Sequence, residues 1–165
     1  MMWRFGLVML GLLAACGVAT PPPAPPSGID KLSIAPIENK TGSPLVIAGD
    51  TYVEKFIGRQ KRTVADEIAR ELTTKLRDQG FTIASGSVPR LSIVLRRFEP
   101  DQPQLSYVTV TLAAKVTDPD GTVRWTDDRT NWLVSTTGSP SLAAAYEAAS
   151  REIARGLVDG WAPGP

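Results

Sequence analysis

Two groups of aspartates are the side chains whose type and spacing could perform acid–base chemistry. One group stands in the stretch 118–121 (DPDG), and the other is the adjacent pair Asp127 and Asp128. A glycosidase-type mechanism needs two carboxyl groups that are held together with their pKa values pushed apart. Both groups fall in turn-like stretches, where aspartate is favoured because its side chain hydrogen-bonds nearby backbone N–H groups. We therefore interpret these aspartates as solvated residues of turns and strand ends.

Other kinds of catalytic chemistry lack their usual residues. The 165-residue chain has no histidine and a single cysteine, which excludes intrachain disulfides, Cys₄ zinc sites and CxxC redox chemistry. No glycine-rich loop carries a Walker-type lysine, and no EF-hand spacing is present. With 18 Lys+Arg against 17 Asp+Glu, the chain lacks the concentrated positive charge of a nucleic-acid binder. The sequence therefore predicts a protein that is not an enzyme and that uses no metal, cofactor or nucleic acid.

Cys16 is the residue for which a covalent modification is predicted. A short positive start at Arg4 and an apolar run over residues 5–13 precede it, in the order of a secretory signal. That run is shorter than the roughly 20 apolar residues that cross a bilayer. Residues 13–16 (LAAC) resemble the lipobox of bacterial lipoproteins, which implies a diacylglycerol thioether on Cys16 and a further acyl chain such as palmitate. Two or three acyl chains would hold the protein on a membrane stably.

The leader defines the predicted organisation of the chain. Residues 1–15 are expected to be a lipoprotein signal peptide, 16–29 the lipidated cysteine with a tether, and 30–162 a single α+β domain. The tether has five prolines among residues 20–28, which favours an extended, semi-rigid spacer. Residue 17 is glycine. An aspartate at this position would resemble an inner-membrane retention signal. We therefore expect an outer-membrane lipoprotein that faces the periplasm.

A basic stretch, residues 54–62 (EKFIGRQKR), lies within a segment, 43–62, to which no structure is assigned. Its four cations surround two apolar residues and are predicted to contact anionic lipid head groups or an acidic partner. The four are Lys55, Arg59, Lys61 and Arg62. The alternative is an ordinary solvated loop before a helix.

Hydrophobic periodicity predicts the elements of the domain in the order β-α-β-β-β-α. Strands are expected over 31–37, 90–98, 105–117 and from 122 onward, and helices over 63–79 and from 140 or 141 to about 160. Thr63 with Asp66 suits a helix N-cap, and Ser139 before Pro140 suits another. We expect a mostly antiparallel four-stranded sheet with two helices on one face.

Residues 32–42 (LSIAPIENKTG), followed by a helix that ends in LRDQGF at residues 76–81, carry a family resemblance. They resemble the lipopolysaccharide-assembly lipoprotein family (LptE-type), and the resemblance spans about residues 30–160. It implies a non-catalytic plug or chaperone-like partner of the outer-membrane translocation β-barrel that also touches lipopolysaccharide. The stretch 43–62 is longer than the family's usual connection, and no lipopolysaccharide-contact residue is carried over.

Two other lipoprotein families share features with the chain. Residues 91–99 (LSIVLRRFE) are similar to strands of the auxiliary lipoproteins of ABC-type lipid-transport systems. The start of the domain and the proline-rich tether are similar to those of activator lipoproteins of penicillin-binding proteins. Each family implies a different partner, which leaves an inner-membrane transporter and a peptidoglycan synthase as alternatives to the barrel.

Overall fold

The structure is a computed structural model that describes residues 22–47 and 62–164, in which two helices pack on one side of a mixed β-sheet. The strands are β1 (Lys31–Ile34), β2 (Glu38–Asn39), β3 (Thr82–Ile83), β4 (Arg90–Pro100), β5 (Tyr107–Thr117) and β6 (Val123–Ser135). The helices are α1 (Val64–Asp78), between β2 and β3, and α2 (Leu142–Val158), after β6.

The sheet corrects the sequence-based prediction. It has six strands in the order β3-β1-β4-β5-β6, with β2 also paired to β4. β1 pairs in parallel with both β3 and β4, and β2 pairs in parallel with β4. Among the strands of the described residues, only the β4–β5 and β5–β6 pairs are antiparallel. The expectation of a mostly antiparallel four-stranded sheet in the order β-α-β-β-β-α is therefore wrong.

The length of α1 explains why β3 is parallel to β1. Fifteen helical residues rise about 22 Å and return the chain to the end of the sheet at which β1 began. The next strand must then run in the same direction as β1, as in any strand–helix–strand crossover. Both strands that the prediction missed have only two residues, which is too short for a period-2 pattern to be visible.

Local signals fix the ends of the helices. The predicted cap of α1 is confirmed, because Thr63 Oγ1 accepts from the backbone N–H of Asp66 and the Asp66 carboxylate accepts from the N–H of Thr63. The predicted cap at Ser139 is wrong. Ser141 caps α2 instead, and its hydroxyl accepts from the backbone N–H of Ala144 at 3.2 Å.

The core lies between the helices and one face of the sheet. The alternation predicted for β5 is confirmed, since every second side chain from Val108 to Val116 is buried. The buried sides of α1 and α2 face these residues in one continuous hydrophobic cluster. In the described part of the chain no element covers the opposite face, which we call the open face. Its central rows carry mainly threonine, serine and alanine side chains.

Candidate functional site

The chain enters the domain at one end of the sheet, which we call the tether end. Ile29 is buried, and its carbonyl accepts from the backbone N–H of Gly164 at 3.0 Å. Gly164 lies so close that an added Cβ would stand 2.7 Å from the Cα of Gly28. The carbonyl of Asp30 then accepts from the N–H of Thr82 at the start of β3. The end of the proline-rich stretch that is predicted to be a tether is thereby fixed to the domain.

Aromatic side chains pack against one another at the tether end. The Trp125 and Trp161 rings meet edge to face with centroids 4.9 Å apart, and the Phe81 ring lies 6.3 Å from that of Trp161. Trp125, on β6, is buried in the core. Trp161 packs in the same core and connects the segment after α2 to β6 and to the residue before β3.

The predicted basic segment joins the domain at the opposite end of the sheet, which we call the far end. Arg62 directly precedes α1, whose other end leads into β3 at the tether end. The carbonyl of Arg62 accepts from the N–H of Ile47 at 2.9 Å. These two residues flank the part of the chain between the described ranges, and both therefore lie at the far end. The length of α1 separates them from the tether end by about 22 Å. Lys55, Arg59 and Lys61 lie outside the described residues, as does Cys16.

Arg62 forms ion pairs with both helices. Its Nη2 lies 2.6 Å from the Glu147 carboxylate on α2, and its Nη1 lies 3.5 Å from the Glu67 carboxylate on α1. Its side chain is still 53% exposed. Arg62 therefore has one side engaged with the domain and the other available to a partner.

Glu67 is the buried centre of this network. Its side chain is only 2% exposed, and its Oε1 lies 2.5 Å from Arg70 Nη2. The hydrogen bond from Arg70, helped by the charges of Arg70 and Arg62, holds the pKa of Glu67 below its ordinary value although burial acts in the opposite direction. The same contact raises the pKa of Arg70. The pair stabilises the far end of the domain.

The aspartates do not form a carboxylate dyad. Asp127 is buried at 5% exposure, and its Oδ2 accepts from Arg129 Nε at 2.8 Å. The interpretation of Asp127 as a solvated residue is therefore wrong, because β6 continues through it and turns it toward the core. Asp118 pairs with Arg124 at 2.5 Å. The carboxylate of Asp120 accepts from the N–H of Thr122, which lowers the pKa of this turn residue.

A further cluster joins β6 to α2 and was not anticipated. The Arg129 guanidinium lies 4.3 Å from the centroid of the Trp132 ring and donates from Nη2 to the carbonyl of Gly156 at 2.6 Å. Sequence patterns gave no signal for it, because it joins residues 27 positions apart across two elements. These contacts hold β6, an edge strand of the described sheet, against α2.

Exposed apolar side chains are unevenly distributed along the sheet. Tyr107 is 40% and Leu133 62% exposed, and both lie on the open face at the far end, diagonal to each other on β5 and β6. Leu142, also exposed, begins α2 at the same end. Val123 is the corresponding exposed residue of β6 at the tether end. Apolar exposure is thus greater at the end that also carries Arg62.

Two features are absent from residues 22–47 and 62–164. No helix there has the length and apolar character needed to cross a membrane. In the same ranges no three acidic, cysteine or histidine side chains are grouped as metal ligands.

Comparison with known proteins identifies the fold. The structure is similar to that of protein XCC0632 from Xanthomonas campestris, described as a DUF330 protein, with 24% identity over 82% of this chain and 85% of that one, and a TM-score of 0.53. It is also similar to PelC, solved as a dodecamer from Paraburkholderia phytofirmans, with 18% identity over 86% of this chain and 96% of that one, and a TM-score of 0.51. No family model and no curated protein matches the chain. At these identities the likeness concerns the fold.

Proposed function

We propose that the chain is a non-catalytic, lipid-anchored accessory protein of the bacterial envelope, which faces the periplasm from the outer membrane and binds a membrane-protein partner. The observation that carries this proposal is the difference between the two ends of the domain, which we call its polarity. The tether joins at one end, whereas Arg62, Tyr107 and Leu133 are exposed at the other. A protein held at one end and equipped with apolar and basic groups at the other is suited to present a docking surface away from its anchor.

This polarity favours one of the two predicted roles of the basic segment. A role at the anchoring membrane would require the cations of residues 54–62 to reach the tether end, which lies about 22 Å from Arg62 along α1. A role with an acidic partner requires only that the far end face the periplasm. We therefore assign Lys55, Arg59, Lys61 and Arg62 to partner contact. Confinement by the acyl chains raises the effective concentration of the two proteins, so that a modest interface suffices.

The proposed partner is an outer-membrane β-barrel protein, which the far end would contact at parts of that protein that extend into the periplasm. This part of the proposal is supported by the sequence resemblance to the lipopolysaccharide-assembly lipoproteins, whereas the structural comparisons name other proteins. The test is a detergent pull-down of the full-length tagged chain from its own envelope, with mass spectrometry of the recovered proteins. Recovery of a large β-barrel supports the proposal, and recovery of an inner-membrane transporter or a glycan synthase replaces it with the corresponding alternative.

Matched variants connect the pull-down to the far end. Leu133→Asn should reduce partner recovery, whereas Val123→Asn, on the same strand at the tether end, should not. Exchanging the four cations of residues 54–62 for glutamine should also reduce recovery. Equal recovery with Leu133→Asn, Val123→Asn and the wild-type chain would refute the assignment of the docking surface. Cys16→Ser should abolish the acyl-peptide mass, and an unchanged mass would refute the lipid anchor.

A second candidate is self-assembly. The PelC neighbour is a dodecamer, and this chain shares its fold and ends the described sheet with a 13-residue edge strand, β6. Such an edge offers backbone N–H and C=O groups for pairing with another chain. Native mass spectrometry of the same purified sample would show a homo-oligomer directly, and a monomeric mass would exclude this candidate.

A further inference from the structure

Three basic side chains cluster on the open face at the tether end. They are Lys31 on β1, Arg90 on β4 and Lys115 on β5, and all three are exposed. Their chain neighbours Leu32, Leu91 and Val116 are buried. Because side chains alternate along a strand, the three cations must all point to the open face.

The strand register places Arg90 at the centre of the cluster. Arg90 is opposite Ser33 on β1 and opposite Thr117 on β5. Lys31 and Lys115 are each two residues from these partners, which makes both of them diagonal neighbours of Arg90. Diagonal neighbours have Cβ atoms within about 7–8 Å, inside the reach of long side chains.

The described carboxylates around this cluster form no ion pair with it. None of the three cations forms an ion pair with another described residue. Asp118 is nearest along β5, but it pairs with Arg124. Asp128 lies diagonal to Lys115 on the open face and forms no ion pair with it. Three neighbouring cations repel one another, so an anionic surface would relieve an unfavourable interaction.

A depression beside Arg90 provides room for an anionic group. It has a volume of about 480 Å³ and lies between the loop before β4 and the β5–β6 turn. It is lined by Gly86, Ser87, Val88, Arg90, Thr117, Asp118, Pro119 and Gly121. The hydroxyls of Ser87 and Thr117 and the Arg90 guanidinium are groups that bind phosphate oxygens.

We propose that Lys31, Arg90 and Lys115, the tether-end basic surface, contact the anionic phospholipid head groups of the membrane that holds the anchor. This inference rests on the proposed lipidation of Cys16. Ile29 follows Cys16 by 13 residues, which at about 3.1 Å per extended residue limits the tether end to about 40 Å from the lipid. Attraction between exposed charges acts over about 8–10 Å in physiological salt, which favours the basic surface nearest the anchor.

The test measures the reactivity of individual lysines in the full-length, lipidated chain. The protein is reconstituted in vesicles of phosphatidylcholine alone or with phosphatidylglycerol, and each lysine is acylated with an amine-reactive reagent and quantified by mass spectrometry. Lys31 and Lys115 should react about fivefold more slowly in the anionic vesicles, the effect expected for a cation held near such a surface. Lys40, toward the far end, is the internal control and should react equally in both.

Equal reactivity of Lys31 and Lys115 in the two kinds of vesicle would overturn the proposal. Protection by excess inorganic phosphate in phosphatidylcholine vesicles would also overturn it, because the site would then bind a free anion. Arg90→Gln should restore much of the reactivity of Lys31 and Lys115 in the anionic vesicles. Arg77→Gln, which removes the same charge from α1, should not.

Failure of the lipid anchor would be seen separately. A chain without acyl groups would not float with phosphatidylcholine vesicles. Flotation with phosphatidylglycerol vesicles, lost in a Lys31→Gln, Arg90→Gln, Lys115→Gln triple variant and retained in a Lys40→Gln, Lys75→Gln, Arg77→Gln control, would then still support the basic surface. Flotation that does not distinguish the two triple variants would refute it.

Discussion

Replacement of Gly156 by alanine gives a sharp test of how β6 is fixed to α2. An ideal Cβ on Gly156 would stand 2.8 Å from both Cζ2 and Cη2 of Trp132 and 3.4 Å from Nη1 of Arg129. Favourable carbon contacts lie at about 3.5–4.0 Å, so the indole ring would have to withdraw by about 0.7 Å. The ring is already held against the Arg129 guanidinium, and that guanidinium donates to the Gly156 carbonyl.

Two opposing terms determine the stability of this variant. Overpacking of a well-filled contact costs about 1–3 kcal/mol. Alanine instead of glycine inside a helix contributes about 1 kcal/mol in the other direction. We therefore expect Gly156→Ala to lower the free energy of unfolding by about 1 kcal/mol. In a chain that carries Trp132→Leu the steric term disappears, and the same substitution should raise it by about 1 kcal/mol.

The assay is urea unfolding followed by far-UV circular dichroism, because tryptophan fluorescence would change with Trp132→Leu. The wild-type chain, the two single variants and the double variant form a cycle whose coupling should be about 2 kcal/mol and should favour the double variant. Stabilisation by Gly156→Ala in the wild-type background would refute the close contact between the helix and Trp132. An additive cycle would refute the coupling itself.

Three further substitutions test other parts of the domain. Glu67→Gln should destabilise the chain at pH 7 by about 1–3 kcal/mol. Because the pKa of Glu67 is lowered in the folded state, this difference between the two chains should shrink as the pH falls from about 4.5 through that lower pKa. Urea midpoints of both chains at each pH measure it. Gly164→Val should open the contact with Gly28 and speed hydrogen exchange at residues 29–31, whereas unchanged exchange there would contradict the proposed fixation of the tether. Thr63→Ala should cost about 1 kcal/mol through loss of the α1 cap, and Thr74→Ala, in the middle of the helix, is the control and should cost clearly less in the same unfolding assay.

Local chemistry made much of the fold predictable. The α1 cap depends on Thr63 and Asp66, which are three residues apart, and the buried face of β5 depends on a strict alternation over 11 residues. The turn at residues 118–121 depends on a short run of turn-forming residues. Each of these signals acts within a window of about a dozen residues, which is the range over which a sequence pattern is visible.

Long-range pairing was not predictable in the same way. The parallel pairs of β1 depend on where α1 delivers the chain, and β2 and β3 have too few residues to show a period. The burial of Asp127 depends on the continuation of β6 and on an arginine two residues further along the strand. The sequence around Asp127 is typical of a turn, and only the pairing of β6 with β5 overrides that local preference.

The basic residues show how topology bears on a functional hypothesis. Composition alone drew attention to residues 54–62, because four cations are close together in the chain. Lys31, Arg90 and Lys115 are separated by dozens of residues and carry no signal in the sequence, yet the register of three strands makes them neighbours. α1 places Arg62, the described end of the first group, at the far end, while the second group lies beside the tether. In the proposed arrangement the domain stands between the membrane that holds its anchor and a partner in the periplasm. Arg90→Glu should therefore disturb the membrane contact and leave the partner contact unchanged.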